Sequence, residues 1–459
     1  MADSVAVLGG GISGLWTARK LLQRYPGLSV TLLERGRATG GLAGGFLLNG
    51  IPCDLGSHRL HPSAPQGLRD EVDGLLDGEL LLRPRHGRML VGGRWVPFPL
   101  SLTSALGGLP PSLSLGVLRD ALLQPLTPGG GEDFRTILER GLGRTISRSF
   151  YLPYARKLWG LDPSEIEPEQ ARRRVSSRGL AELVLKTLRS GGRRSFHYPK
   201  RGFLSIARNL ADELEARGAR VLTRAEVIGL RRKQKGWTVE HRGEAGSLRV
   251  SSVFSTLPLP VLARMLHLAG EEGLEPAISL SYRAMCLIYL YMERGPWTEW
   301  DAHYVPEQRI PFSRISEPLN YSGRGLDGRP TVVCLELPCD RGGRVWHSAD
   351  SELVELAKVH LELAGLPQPD VADCLVVREP FAYPVYRMGS VAVREEALDR
   401  IDRMEGLVSL GRQGLFMHDN VHHDMDMAES AADCWSPDGW NAARWADARR
   451  RFEKMVVED

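Results

Sequence analysis

Residues 4–34 limit the possible fold more than any other part of the chain. Ser4-Val5-Ala6-Val7-Leu8 reads as a buried strand, and Gly9-Gly10-Gly11-Ile12-Ser13-Gly14 follows with G-x-G-x-x-G spacing at Gly9, Gly11 and Gly14. Leu15 to Tyr25 reads as a helix and Leu28 to Leu33 as a second strand, which ends at Glu34, 20 residues beyond Gly14. Glycines alone carry little weight, but strand, glycines, helix, strand and acid in register describe a dinucleotide-binding βαβ unit. Gly9 permits the tight turn, Gly11 lets a pyrophosphate approach the backbone, and Gly14 lets helix and strand pack closely. Ile12 and Ser13 open the helix, whose free N–H groups and positive dipole end suit phosphates. Glu34 can accept hydrogen bonds from a ribose 2′-hydroxyl, which points to an adenine dinucleotide without a 2′-phosphate.

The next segments decide which dinucleotide. Glu34-Arg35-Gly36-Arg37-Ala38-Thr39-Gly40-Gly41-Leu42-Ala43 brings a second glycine pair soon after the acid, and Cys53-Asp54-Leu55-Gly56-Ser57-His58-Arg59-Leu60-His61 comes after it. These pieces resemble the FAD-binding start of the flavoprotein superfamily that holds amine oxidases, protoporphyrinogen oxidases and UDP-galactopyranose mutases. The resemblance implies FAD rather than NAD, since a nicotinamide dehydrogenase would not need the extra pieces. It places Gly40, Gly41 and Leu42 beneath the ribityl and diphosphate region, with Arg35 beside them. It brings Asp54, Gly56, Ser57 and His58 to the isoalloxazine, and adds Val227. The implied fold is α/β: a Rossmann-like FAD-binding domain of the GR2 flavoprotein type, with an inserted helical domain and a mixed β-sheet substrate domain.

A chain of 459 residues suggests about three domain-sized units. Hydrophobic content of 42% and charged content of 25% are ordinary for a globular protein, and a net charge of +3 argues for neither nucleic acid nor a membrane as partner. Six cysteines (53, 286, 334, 339, 374, 434) are scattered without a C-x-x-C, which reads as reduced thiols in a cytoplasmic protein. The first strand starts at residue 4, leaving no room for a signal peptide, and no run of about 18 apolar residues spans a membrane. His422-His423-Asp424 lacks a third ligand at helical spacing, so no metal is expected.

Residues 86–97 read as a β-hairpin with a Gly92-Gly93 turn. Residues 100–126, rich in Leu, Gly and Pro, read as short helices over a pocket, with a lipid-touching patch as the alternative. Residues from Phe134 to about Leu188 read as helical, and Leu204 to Arg217 as a helix. Arg220 to Val227, Trp237 to Glu240 and Val253 to Thr256 read as strands returning to the nucleotide sheet. The division is then 1–85, 195–262 and 400–459 for FAD binding, 100–194 for the helical insertion, and 86–99 with 263–399 for the substrate sheet. After the Pro437-Asp438-Gly439 break, Trp445, Ala448, Phe452 and Met455 form one helical stripe that packs on its own domain.

The middle of the chain sharpens the resemblance. Phe150-Tyr151-Leu152-Pro153-Tyr154-Ala155-Arg156-Lys157-Leu158-Trp159-Gly160 is similar to the F-x-x-Y-x-x-K-x-W-G stretch of the mutases, and Arg172-Arg173-Arg174 follows. The resemblance implies Trp159 near a uridine and Arg173 near a substrate diphosphate, with Arg172 and Arg174 as rivals and core packing as the other use of Trp159. Ile310-Pro311-Phe312-Ser313-Arg314 resembles the segment carrying a second diphosphate-binding arginine; the competing use of Arg314 is a salt bridge to Glu317. Tyr383-Pro384-Val385-Tyr386 resembles a Y-P-V stretch beside the same site. Gly411-Arg412-Gln413-Gly414 resembles the segment that returns to the cofactor, with Asp419 beyond it. Where the mutases place a tyrosine against the diphosphate, this chain has His418, which departs from the mutase pattern.

Three functions fit. One is an FAD-dependent oxidoreductase taking hydride from a C–H next to N or O, on a sugar- or nucleotide-bearing metabolite. Another is a redox-neutral mutase in which reduced flavin attacks an anomeric carbon. The third is a flavin-binding partner protein without catalysis. His58, Trp159, Arg173, Arg314, Tyr383 and His418 are the candidate substrate-facing residues. No second G-x-G-x-x-G for NAD(P)H is present, which suggests reoxidation by oxygen or a diffusing acceptor, or a cycle with no net redox change.

Overall fold

The computed structural model describes residues 4–98, 108–123, 133–173, 195–243, 246–323 and 328–457. Five parallel strands form the nucleotide-binding sheet, in the order Leu407–Ser409, Ser252–Ser255, Ser4–Leu8, Ser29–Leu33, Arg220–Leu222. Val5, Ala6, Val7 and Leu8 are fully buried. That is why the first strand reads as an unbroken apolar run rather than an alternating one: a parallel sheet is covered on both faces. Helix Ile12–Arg24 packs against helices Leu204–Ala216 and Val421–Cys434, so segments from both ends of the chain complete one core. Trp445, Ala448 and Phe452, on helix Ala442–Phe452, are buried in that same core.

Trp237–His241 is a correction to the sequence reading. It does not join the nucleotide sheet. It is the middle strand of a separate antiparallel sheet, between Val227–Arg232 and Ser247–Val250. The stretch read as one strand over 220–227 is likewise two, with Arg220–Leu222 in the parallel sheet and Val227 opening the antiparallel one. Apolar alternation marks a strand but does not say which sheet receives it.

A seven-stranded mixed sheet forms the second layer: Asp373–Pro384, Tyr282–Met292, Thr331–Cys339, Arg314–Ser316, Ala302–Tyr304, Gly87–Val91, Arg94–Phe98. The hairpin Gly87–Val91/Arg94–Phe98 turns at Gly92 and Gly93, both at positive φ, and pairs in parallel with Ala302–Tyr304. Strand Leu80–Pro84 pairs instead with Ser195–Pro199.

The described part of the insertion is helical: Pro111–Leu123, Phe134–Leu142, Leu152–Trp159 and Pro168–Arg172 are its longer pieces. Helix Leu152–Trp159 ends at Gly160, whose left-handed backbone at φ 68° stops it. One turn earlier, the buried Lys157 Nζ is ringed by the carbonyl oxygens of Val305, Glu307, Ile310 and Phe312 at 2.5–3.0 Å and donates into that ring. This cage ties the helical layer to the loop that delivers Arg314. On Pro111–Leu123, Leu115 and Leu122 are 69% and 78% exposed. The flanking parts of 100–126 and the helical reading beyond Arg173, including Arg174, lie outside the described residues. All six cysteines are free thiols, and among the described residues no helix is long and apolar enough to cross a membrane.

Candidate functional site

The carboxyl ends of the parallel strands open onto one cavity of about 590 Å³, where a doubly wound sheet places its ligand. Its floor is built from glycine backbone. A methyl at Gly9, held at φ +101°, would run into the Thr256 hydroxyl, and one at Gly14 into the Gly9 carbonyl oxygen. Those two glycines serve packing. At Gly11 a methyl would meet nothing nearer than the Gly41 Cα at 3.9 Å, and Gly11 lines the cavity. The fold itself leaves that space clear, as a pyrophosphate requires. The second glycine pair packs directly on the first: Gly40 N–H donates to the Gly10 carbonyl at 2.7 Å. Gly40, Gly41 and Leu42 all line the cavity, as do Ile12 and Ser13.

Glu34 stands at the end of the second strand. Its carboxylate accepts from Gly10 N–H at 2.8 Å and Gly36 N–H at 2.6 Å, which aims it into the cavity with lone pairs to spare. Arg35 lines the same end, its guanidinium 5.8 Å from the Phe381 ring, and Val227 also lies there.

The C-terminal return closes the far wall. Arg412 donates to the carbonyls of Asp419 at 2.9 Å and Ala382 at 3.1 Å, and lies over the Tyr383 ring. Asp424 accepts from Ser13 Oγ and from Arg412 N–H, both at 2.7 Å, clipping the first helix to the last segment. Burial pushes the Asp419 carboxyl well up, and Asp424 adds to this. Within the protein, Asp419 Oδ2, Gln413 Oε1 and Arg412 Nε find no partner, though all three residues line the cavity. Buried polar atoms of this kind are rarely left unpaired. Arg412, Gln413 and Asp419 bring a guanidinium, an amide and a carboxyl to the same cavity as the glycine cradle, groups that suit the hydroxyls and phosphates of a dinucleotide.

Gly56, Ser57 and His58 line the opposite stretch of the cavity. The His58 ring donates from Nε2 to the Leu55 carbonyl at 2.9 Å, leaving Nδ1 as an acceptor. Burial pushes its pKa down to about 4, so the imidazole is neutral at ordinary pH. Arg314 reaches this face from the middle of the mixed sheet. Its guanidinium makes two parallel bonds to Glu336, at 2.8 and 3.0 Å, and Glu336 also accepts from Ser57 N–H at 3.0 Å. Burial works against the charge of Arg314, but Glu336 together with Tyr304, Tyr383 and Tyr154 more than offsets it. Glu336 is therefore the partner of Arg314. Glu317, the partner weighed from sequence, is buried against Trp297 and Thr298 N–H and the Thr331 hydroxyl. Tyr383 and His418 line the cavity and meet edge-on at 5.4 Å; His418 Nδ1 contacts the Gln170 amide at 3.0 Å.

Five sequence candidates do not line the cavity: Gly14, which packs beneath the turn, and four others. Arg173 is 2% exposed and pairs through Nε with Glu169, one helical turn back; its two terminal nitrogens have no partner and it does not line the cavity. Trp159 packs in the helical core against Phe134. Asp54 is a buried brace that accepts from Tyr198 Oη at 2.6 Å and Phe203 N–H at 2.8 Å, holding the loop behind Gly56. Gly411 packs against the Ser13 side chain beneath the wall. Conversely, Thr256, Glu336, Gln413 and Asp424 line the cavity without having been named as cofactor or substrate contacts. Two carried a readable signal. Thr256 follows a strand of the parallel sheet, where such crevices form. Glu336 is the lone acid in the apolar run Thr331–Cys339, and a buried acid needs a partner.

A glycine junction, an acid aimed into the cavity and a C-terminal return lining the same cavity together define a dinucleotide-binding protein of Rossmann type. Residues 12–417 match the family model for flavin containing amine oxidoreductases, and the chain belongs to that family. Flavin is the cofactor that membership implies. A chloroplastic protoporphyrinogen oxidase of Nicotiana tabacum is 30% identical over 171 residues, which is 36% of this chain and 30% of that protein's length. Among solved structures, reduced UDP-galactopyranose mutase has a similar fold, with a TM-score of 0.81 at 21% identity over 100% of this chain and 99% of that one. A triple mutant of putrescine oxidase is also similar, with a TM-score of 0.65 at 15% identity over 98% and 99% of the two chains.

Proposed function

We propose that the chain is an FAD-dependent oxidoreductase that takes hydride from a C–H next to nitrogen or oxygen on a small metabolite. One observation carries this reading: a single cavity runs from the glycine junction to a face lined by His58, Arg314, Tyr383 and His418. Bound FAD would supply the hydride acceptor. The chain's own residues do the rest. Gly11 and the helix N-terminus receive the pyrophosphate, and Glu34 the ribose. Arg412, Gln413 and Asp419 bind the stretch between phosphates and ring. His58, neutral and fixed by Leu55, presents Nδ1 as an acceptor beside the reacting face. The mixed sheet forms one wall of that face.

A sugar nucleotide remains within the proposed substrate class, with Arg314 as its anion contact. The two-arginine clamp suggested by sequence does not support it, because Arg173 is buried on Glu169 and does not line the cavity. The test is to identify the released cofactor, then mix the holoprotein anaerobically with amines, alcohols and UDP- and dTDP-sugars while following flavin absorbance and product mass. Bleaching with a product two mass units lighter is expected. An isomeric product formed only after dithionite reduction would overturn the reading in favour of a redox-neutral mutase, and bound flavin inert to every compound would leave a binding protein.

A further inference from the structure

Beside the flavin face lies a second, smaller recess of about 80 Å³. It shares Ser57, Arg59, Arg314 and Asn420 with the main cavity, so the two adjoin. It has room for several waters or one compact polar group, and is too small for a ring system. Its described lining includes three arginines, Arg59, Arg85 and Arg314, with His61 and Tyr304, and no acid.

The arginines reach it from separate elements. Arg59 follows the loop of Gly56–His58. Arg85 sits between strand Leu80–Pro84 and the hairpin. Arg314 comes from the centre of the mixed sheet. The charge of Arg314 is matched at close range by Glu336, at 2.8 and 3.0 Å. Arg59 is not matched in this way. Its side chain is 12% exposed and its guanidinium lies 4.8 Å from both the Phe196 and Tyr321 rings. Its nearest acid, Asp301, is 3.4 Å away, and its contacts to the Tyr321 and Tyr304 hydroxyls are 3.3 and 3.5 Å. Bonds that long are weak for a guanidinium, which normally holds oxygen at 2.7–2.9 Å. The stacking fixes the plane of Arg59 while leaving its charge only partly compensated.

We propose that this recess seats an oxyanionic group of the substrate, a carboxylate or a phosphate, and that Arg59 and Arg85 select for it alongside Arg314. The proposal rests on the oxidoreductase reading of the main cavity and narrows its substrate to one with an anionic arm a short distance from the oxidised C–H.

The test uses the flavin-loaded protein titrated with inorganic phosphate in one arm and glutarate in the other, followed by calorimetry and by flavin difference spectra. Binding that weakens with added salt is expected in at least one arm, and which arm responds distinguishes phosphate from carboxylate. Arg85→Ser should weaken it roughly ten- to a hundredfold, as for loss of one charge-assisted contact. Arg59→Met, which keeps the stacked bulk, should do the same at unchanged flavin content. Arg450→Ser, an exposed arginine outside both cavities, should change nothing. If neither anion binds the wild type, or Arg85→Ser binds both as tightly, the proposal falls even where substrates reduce the flavin. If the anions bind with these losses but nothing reduces the flavin, the recess stands and the oxidoreductase reading fails.

Discussion

The two ends of the cavity are built from different materials. At the nucleotide end the walls are main chain: two glycine turns in contact, a helix N-terminus, and an acid aimed by backbone N–H groups. At the substrate end they are long side chains from the mixed sheet and the loops beside it, held by an ion pair and stacked rings. A backbone cradle recognises what every dinucleotide shares, so it can stay the same while substrates differ. A side-chain wall can be changed one residue at a time, and specificity is grafted there.

The largest expected effect divides the glycines themselves. Gly11 opens onto empty space, so Gly11→Val should leave the fold intact, with an unchanged far-ultraviolet spectrum, while the purified protein loses its flavin. Gly14→Ala should do the reverse. A methyl there meets the Gly9 carbonyl, and overpacking of this kind costs about 1–3 kcal/mol. Full flavin occupancy in Gly11→Val would show that the space in front of Gly11 is not the pyrophosphate site.

The next effect lies at the other end. Arg314 and Glu336 are paired out of solvent, with side chains 16% and 3% exposed. Removing one partner strands a buried charge, and such losses run to about 3–5 kcal/mol. Arg314→Ala should therefore lower the melting temperature as well as weaken anion binding, and Arg314→Met combined with Glu336→Gln should recover most of the stability but none of the binding. A full-strength Arg314→Ala protein in thermal unfolding would mean that the pair contributes little and that Arg314 is free for ligand alone.

This contrast also explains what could be read in advance. The βαβ unit is local: its strand, glycines, helix and acid follow one another within 31 positions from Ser4 to Glu34, and each has its own physical signature. The substrate end depends on register. Arg314 and Glu336 are direct cross-strand partners, yet 22 residues apart in sequence, and no periodicity tells which strand lies beside which. Arg173 shows the opposite case. Its Glu169 partner stands at i−4, the spacing at which helical ion pairs form, so a structural use of that arginine was open to view beside the family resemblance. Trp237–His241 was legible as a strand and illegible as to its sheet.

The smallest effect concerns His58, which sits where the two kinds of wall meet. Its imidazole is half-buried beside Arg314 and Arg412, with Glu336 opposing them, and its loss of solvation lowers its pKa from 6.5 to about 4. Above the ordinary histidine range the ring is neutral whether the chain is folded or not, and the shift contributes nothing. As pH drops from 6.5 towards 4, the unfolded chain takes up a proton that the folded one refuses, so stability is lost across that window and levels off below it. At pH 5 the loss amounts to about 2 kcal/mol. His58→Ala lacks this term, so the stability gap between wild type and variant should narrow by that amount between pH 7 and pH 5, read from denaturant unfolding at each pH. The same neutrality bears on turnover: His58 has no proton to give from Nδ1 at pH 7, so His58→Ala should slow flavin reduction more than it lowers flavin content, without removing an inflection near 6.5 from the rate profile. A gap that stays constant with pH would mean that the ring titrates as an exposed histidine does, and would return His58 to the list of candidate proton carriers.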